Sequence, residues 1–168
     1  AGPAGATLAR LLHPNIRVLL LDARPLTKEP GNGYRTKCCG GLLGPAAQAW
    51  LGRQRLSLPK ATLSNTQPFI VRALDIPSGL QREYQRFYLN LNRDRFEKWL
   101  LSLIHPTTDI RTPCRFRSCE QEENGNLKIC YVYAGRRHYA RTRILVGADG
   151  AASSVRRHLT QQEATSPK

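Results

Sequence analysis

The chain is poor in acidic residues, aromatic residues and long apolar runs, and it contains no methionine. It has 12 Asp and Glu against 26 Lys and Arg, and aromatic residues make up 7% of its 168 positions. No apolar run approaches the roughly 20 residues that a membrane-spanning helix needs. An apolar share of 40% nevertheless supports a core and argues against wholesale disorder. The length and composition favour one folded domain of ordinary size.

Cysteine number and charge restrict the environment and the partners. Five cysteines without framework spacing favour a reduced, cytoplasmic protein over a disulfide scaffold. The formal charge of +14 favours anionic partners, such as nucleotide phosphates, nucleic acid or an acidic membrane surface. Because the basic residues are dispersed and form no long block, we expect a solvated basic surface rather than a nucleic-acid-binding one.

Both ends of the chain are predicted to be incomplete. Residues 1–5 fit the back half of a G-x-G-x-x-G turn, in which Gly2 and Gly5 take the second and third glycine positions. The first glycine and the strand before it would precede Ala1. Residues 160–168 form a polar tail without a core-forming pattern. These features, with the missing initiator methionine, predict a piece of a longer protein.

A helix–strand unit follows the glycine turn. The pattern predicts a helix over residues 5–12, which Pro14 stops, and a buried strand over residues 16–21 that ends at Asp22. An acidic residue about 20 positions beyond such a turn typically binds a ribose hydroxyl. Asp22 is therefore predicted to bind a ribose, and the alternative is a surface-turn aspartate.

A cysteine pair followed by a glycine pair stands out in the next segment, at Cys38, Cys39, Gly40 and Gly41. No second Cys or His pair with matching spacing follows, so we do not expect zinc or another metal here. Two glycines indicate a backbone that comes close to something flat or charged. For Cys39, a reactive thiol facing a cofactor and a structural role both stay open.

The middle of the chain is predicted to mix short elements with one clear helix. A short helix is expected over residues 46–51, a strand over 68–74 and another strand over 89–93. Asp94 is expected to cap a helix, because apolar residues recur at helical spacing after it. These apolar residues are Phe96, Trp99, Leu100, Leu103 and Ile104.

The last third of the sequence predicts a β-meander followed by a strand, a turn and a helix. The meander strands are expected over residues 115–119, 127–133 and 138–143, and a buried strand over 144–146. Asp149 and Gly150 form the turn. Backbone N–H groups together with Ser153 and Ser154 are then predicted to meet a phosphate at the start of the helix.

On these residues the chain resembles the geranylgeranyl-reductase-related FAD-dependent oxidoreductases. The resemblance rests on residues 2–6, 39–48, 84–93, 96, 99–100 and 146–150. It implies an α/β fold: a Rossmann-like FAD-binding domain of p-hydroxybenzoate-hydroxylase type, with a β-meander and a substrate-side β insertion, incomplete in this chain. The implied division is 1–46 for the first part of the FAD-binding domain, 47–92 for the insertion, 93–159 for the continuation and 160–168 for the tail.

The resemblance also assigns roles to individual residues. The ADP half of FAD would be held by the glycine turn and by Asp22 with its neighbours, namely Gly2, Pro3, Ala4, Gly5, Asp22, Ala23 and Arg24. Arg93, before its helix, would approach the cofactor phosphates, and Asp149 and Gly150 would meet the pyrophosphate. The segment of Cys39, Gly40 and Gly41 would lie near the isoalloxazine, which makes Cys39 the one catalytic candidate.

The function implied by the resemblance is that of an FAD-dependent oxidoreductase, with NAD(P)H or another reductant as electron donor. The substrate would be a small molecule, with isoprenoids as one candidate class. Reduction of a C=C bond is favoured by the Cys39 segment over hydroxylation by a flavin monooxygenase. Cytoplasmic localisation is implied, and peripheral association with the inner face of the membrane stays open.

Two alternatives belong to other classes: a non-catalytic basic module that binds nucleotide or nucleic acid, and a degenerate chain without activity. A further expectation concerns the cofactor. The first strand is central in the 3-2-1-4-5 strand order of such sheets, and this strand would precede Ala1. We therefore expect these 168 residues alone to bind FAD weakly or not at all.

Overall fold

The computed structural model describes residues 1–25, 39–68, 70–85 and 87–165, with only the backbone of 162–165. The chain divides into two compact units, which are described separately: Ala1–Tyr34 with Leu100–Lys168, and Arg35–Trp99. The helices are α1 (Pro3–Leu11), α2 (Pro45–Arg53), α3 (Arg93–Ser102) and α4 (Ser154–Thr165). The strands are β1 (Leu19–Leu21), β2 (Leu42–Leu43), β3 (Val71–Asp75), β4 (Leu80–Tyr84), β5 (Leu89–Asn90), β6 (Asp109–Arg111), β7 (Cys114–Gln121), β8 (Leu127–Tyr133) and β9 (Arg136–Thr142).

In the first unit, α1 leads into a short parallel pair of strands. β1 pairs with β6, with Leu19 opposite Asp109 and Leu21 opposite Arg111. α1 begins at a proline, whose fixed φ suits the first helical position and whose missing N–H costs nothing there. This arrangement places Asp22 directly after β1, where its amide donates to the Arg111 carbonyl oxygen at 3.2 Å.

The three-stranded antiparallel meander β7–β8–β9 supplies the largest fully buried side chains of the first unit, which are Tyr131, Cys114 and Cys119. One face of its central strand carries Ile129 and Tyr131, which are 4% and 1% exposed. Cys114 and Cys119 of β7 are buried on the same face. α4 lies against β7: a ring nitrogen of His158 is 2.9 Å from the Cys119 carbonyl oxygen.

The second unit contains smaller elements. β2 and β5 form an antiparallel pair, and Leu63 forms an isolated bridge with Leu91. β3 and β4 form a separate hairpin in which Val71 lies opposite Tyr84. Leu51 of α2 and Leu91 are buried, at 5% and 7% exposed.

Several predicted elements are confirmed, with changed ends. α1, α2 and the three meander strands form where the pattern predicted them, whereas the strand expected over residues 16–21 is reduced to Leu19–Leu21. The predicted cap of α3 is wrong. Asn92 caps this helix, because its side-chain oxygen accepts from the Arg95 amide at 3.1 Å, and Asp94 lies inside the first turn. Arg93 is consequently the first helical residue rather than a residue before the helix.

The buried strand predicted over residues 144–146 is also wrong. Ile144 is 75% exposed and Val146 is 55% exposed, and no strand is assigned to these residues. A strand requires a neighbour that completes its ladder of hydrogen bonds. Among the described residues, none pairs with this segment.

The C-terminal helix extends further than the predicted polar tail allows, since α4 continues to Thr165. The division into domains at residues 46, 92 and 159 stays a prediction. Of the helices in the described part of the chain, none is long and apolar enough to cross a membrane.

Candidate functional site

The glycine turn and the Asp149 segment meet in the first unit. A Cβ atom built on Gly5 would lie 3.5 Å from the Cβ of Ala148 and 3.6 Å from a methyl carbon of Leu20. Because Gly5 has no side chain, α1 packs closely against both β1 and the segment before Asp149. The glycine turn and the segment before Asp149, which are far apart in the sequence, therefore lie next to each other in the structure.

The N-terminus of α1 is open at this locality. In the described part of the chain no side chain caps this helix, and its N-cap residue Gly2 has extended backbone angles. The first amides of a helix lack intrahelical partners and carry a partial positive charge. Such an end suits an anion, and phosphate above all.

Asp22 is buried beside this helix, and both of its carboxylate oxygens are occupied. Oδ2 accepts from the α-amino group of Ala1 at 2.5 Å and from Arg24 Nη2 at 2.9 Å, and Oδ1 accepts from the Arg24 amide at 2.8 Å and from Nε at 3.2 Å. Burial raises the pKa of Asp22, but the bonds from Arg24 and the Ala1 ammonium outweigh it and lower the pKa to about 2. A ribose hydroxyl would have to replace one of these donors.

Asp149 caps α4 with its side chain. Its carboxylate accepts from the Ser154 amide at 2.6 Å, from the Val155 amide at 3.3 Å and from the Ser153 hydroxyl. Partial burial raises the pKa of Asp149, but these donors outweigh it and lower the pKa. The amides of Ser154 and Val155 and the Ser153 hydroxyl thus bind the chain's own carboxylate. The sequence predicted that the donors at the start of α4 meet a phosphate, whereas in the structure they bind the carboxylate of Asp149.

A second group of candidate residues lies in the second unit, around Cys39. The thiol is exposed, the Gly41 amide donates to its sulfur at 3.5 Å, and the positive charge of the Arg93 guanidinium also favours its thiolate. These two groups lower the pKa of Cys39. Arg93 in turn donates through Nε to Glu97 at 3.0 Å, one helical turn further along. The arrangement stabilises a thiolate.

The backbone conformation at position 41 requires a glycine. Its φ is +70°, and a Cβ atom there would overlap the Leu91 carbonyl oxygen. The Gly41 carbonyl oxygen accepts from the Leu91 amide at 2.8 Å, which holds the segment beside β5. At Gly40, by contrast, no atom of the described residues lies within 4 Å of a Cβ placed there. The two glycines of the pair therefore have different roles.

The structure brings the predicted residues together in two groups. Those at positions 2–5, 22–24 and 149–150 lie in the first unit, and those at positions 39–41 and 93 in the second. Cys38, the other member of the cysteine pair, lies outside the described residues, as does Arg86 of the segment 84–93. Among the residues that are described, no cluster of three or more His, Cys, Asp and Glu could hold a metal ion.

Glu97 was missed by the sequence reasoning. It is 6% exposed and binds Arg93, and the i, i+4 spacing of opposite charges on a helix could have predicted the pair. Ser153 was predicted to contact a phosphate and instead donates to Asp149.

Comparison with solved structures defines the class of fold. The chain superposes on a geranylgeranyl bacteriochlorophyll reductase-like protein from Thermoplasma acidophilum with a TM-score of 0.72 and 21% identity, covering 94% of this chain and 39% of that one. It superposes on aklavinone-11 hydroxylase, solved with FAD and aklavinone, with a TM-score of 0.59 and 18% identity, covering 93% and 32%. The fold is that of the Rossmann-like, hydroxylase-type FAD-dependent oxidoreductases, as predicted.

Sequence comparison names a particular relative. The chain is 39% identical over 158 residues to protein CbrA of Shigella sonnei and of Escherichia coli K12, covering 94% of this chain. It spans 44% of the length of each of these relatives. The resemblance predicted from the motifs is confirmed. No family model matches the chain.

The environment of Asp22 predicts how stability depends on pH. A pKa that falls from 3.8 to about 2 on folding corresponds to about 2 kcal/mol of stability. Since the folded pKa is depressed, this stability is present above pH 4 and is lost as the pH falls towards 2. We expect Asp22→Asn to remove this part of the acid dependence in urea unfolding measured from pH 7 to pH 2.

Glu123→Gln provides the matched control, because it removes one negative charge at an exposed turn. This variant is expected to retain the wild-type acid dependence. Equal curves for wild type and Asp22→Asn would show that the buried carboxylate gains nothing from Arg24 and Ala1.

The contacts of Cys39 predict an unusually reactive thiol. In a Cys38→Ser background, iodoacetamide should modify Cys39 with a half-maximal rate at a pH below the ordinary thiol value of about 8.5. Arg93→Gln removes the guanidinium charge and should move this midpoint upwards. Arg95→Gln, two positions along α3, is the control and should leave it in place. A midpoint that does not respond to Arg93→Gln would refute the assigned effect of Arg93.

Proposed function

We propose that the chain is the FAD-binding part of an oxidoreductase. The observation that carries the proposal is the contact of Gly5 with Ala148 beside the uncapped N-terminus of α1. The fold shared with an FAD-containing hydroxylase supports it. A glycine turn of this kind, opening a helix, is typical of dinucleotide-binding sites.

The residues of the first unit fit the ADP half of the cofactor. The open amides at the start of α1 would bind the diphosphate, and the lack of a side chain at Gly2 would let the backbone approach it. Asp22 would accept from the ribose after giving up one of its present donors. Asp149 would act as a positioning residue, because its carboxylate fixes the turn at Gly150 and the start of α4.

The flavin would supply the redox chemistry, transferring hydride to an activated double bond or activating oxygen for hydroxylation. We favour reduction of a C=C bond, because the Cys39 segment resembles that of the reductases. The thiolate-stabilising contacts from Gly41 and Arg93 support a reactive role for Cys39. NAD(P)H as the reductant and an isoprenoid as the substrate are parts of the same proposal.

A titration with FAD, monitored by the quenching of flavin fluorescence, tests the proposal. It compares the wild-type chain with variants at two glycines of the motif, Gly2 and Gly5. We expect weak, saturable binding by the wild-type chain. Gly2→Val should weaken it about tenfold or more, because its side chain blocks the diphosphate while the extended backbone tolerates the residue. Gly5→Ala should retain binding, since the added Cβ makes only ordinary contacts with Ala148 and Leu20.

Thermal unfolding by circular dichroism supplies the control for folding. Gly2→Val should unfold at the wild-type temperature, so that a loss of affinity reports on the site. Saturable quenching with equal affinity in wild type and Gly2→Val would contradict the proposal. Salt-sensitive binding of an oligonucleotide without any flavin binding would support the alternative of a basic nucleic-acid-binding module.

A further inference from the structure

The β-meander has a basic pocket on the face opposite its buried one. The pocket has a volume of about 510 Å³, within the range of small-ligand sites. Arg117, Lys128 and Arg137 line it together with the aromatic ring of Tyr139. One carboxylate, that of Glu120, lies among the three cations. None of the residues assigned to FAD lines this pocket.

Arg117 reaches the pocket because β7 contains a β-bulge. Phe116 lies opposite Tyr131 and Ser118 lies opposite Cys130, so that Arg117 is an extra residue with no partner in the ladder. A bulge bends the strand and redirects side chains. Before and after the bulge, the inward-facing residues of β7 lie on the buried face of the sheet. Arg117 and Ser118, which are adjacent in the sequence, both lie on the outer face.

Among the described residues, no carboxylate lies within ion-pair distance of the three cations. None of them has an Asp or Glu oxygen of the described part of the chain within 4.0 Å. Lys128 instead lies 5.1 Å from the centre of the Tyr139 ring. Arg141, opposite Lys128 on β9, differs, because its Nε lies 2.7 Å from a carboxylate oxygen of Glu122. Positive charge in the pocket is therefore left for an external anion.

We propose that this pocket binds a phosphate-bearing anion. Arg117 and Arg137 offer the planar guanidinium donors that suit phosphate oxygens, and Lys128 adds a compact charge. The Ser118 hydroxyl can donate a further hydrogen bond. Tyr139 is 58% exposed and offers a ring face to a planar group on the ligand. A free phosphate compound and a lipid headgroup share this chemistry.

Two adjacent arginines of β9 provide a matched test. Arg137 lies opposite Val132 and lines the pocket, whereas Arg136 lies opposite Tyr133, so its side chain belongs to the other face of the sheet. Pyrophosphate is titrated into the ¹⁵N-labelled chain at about 150 mM NaCl, so that non-specific attraction is screened. We expect saturable amide shifts centred on Ser118, Lys128 and Tyr139.

Arg137→Gln should weaken this binding about tenfold, as expected for the loss of one charged hydrogen-bond donor, and Arg136→Gln should leave it unchanged. Lys128→Gln is the second variant and should also weaken it. Shifts that do not saturate, or that respond equally to Arg136→Gln and Arg137→Gln, would overturn the proposal. Shifts confined to the amides of residues 2–6 would overturn it as well, while still supporting the proposed FAD site.

Cosedimentation with phosphatidylcholine vesicles, with and without phosphatidic acid, distinguishes the two sources of phosphate. Binding that needs phosphatidic acid and is lost in Arg137→Gln but not in Arg136→Gln assigns the pocket to a lipid headgroup. Saturable binding of pyrophosphate without vesicle binding assigns it to a free phosphate compound.

Discussion

The contact between Gly5 and Ala148 is the constraint on which the first unit depends. It brings the beginning of α1 beside the turn at Asp149, although most of the sequence lies between them. The contact is close because one partner has no side chain and the other has only a methyl group. An alanine at position 5 would still make only ordinary contacts, but a side chain larger than alanine at either position would push α1 away from the Asp149 segment.

The carboxylates near this contact are bound by the chain's own donors. Asp22 is held by Arg24 and Ala1, and Asp149 by the start of α4. In a chain with 12 acidic and 26 basic residues, few carboxylates are left to neutralise the remaining cations. The uncapped end of α1 and the outer face of the meander consequently keep positive potential. Both features suit phosphate, the first as part of FAD in our proposal and the second in a separate pocket.

Elements determined by local pattern could be predicted from the sequence. The meander follows from alternating strands and strong turns, and α1 follows from its glycine turn and the proline that ends it. Elements that depend on distant partners could not. β6 exists because Asp109–Arg111 pairs with β1, and the expected strand at Ile144 fails because no described strand lies beside it. The cap at Asn92 was missed because Asp94, two positions later, is also a residue type that commonly caps helices.

The candidate site shows the same division. The motif predicted that the glycine turn meets the segment of Asp149, but the hydrogen bonds of these residues depend on geometry that cannot be read from sequence spacing. Ser153 and the helix amides were predicted for a phosphate and bind Asp149 instead.

The most direct test of the central contact is a nuclear Overhauser measurement between the α protons of Gly5 and the methyl protons of Ala148 in the labelled chain. A cross-peak between these groups is expected, because these protons come within the range of the measurement only if the two segments are in contact. A fully assigned spectrum in which Gly5 shows cross-peaks to Leu20 but none to Ala148 would contradict the account.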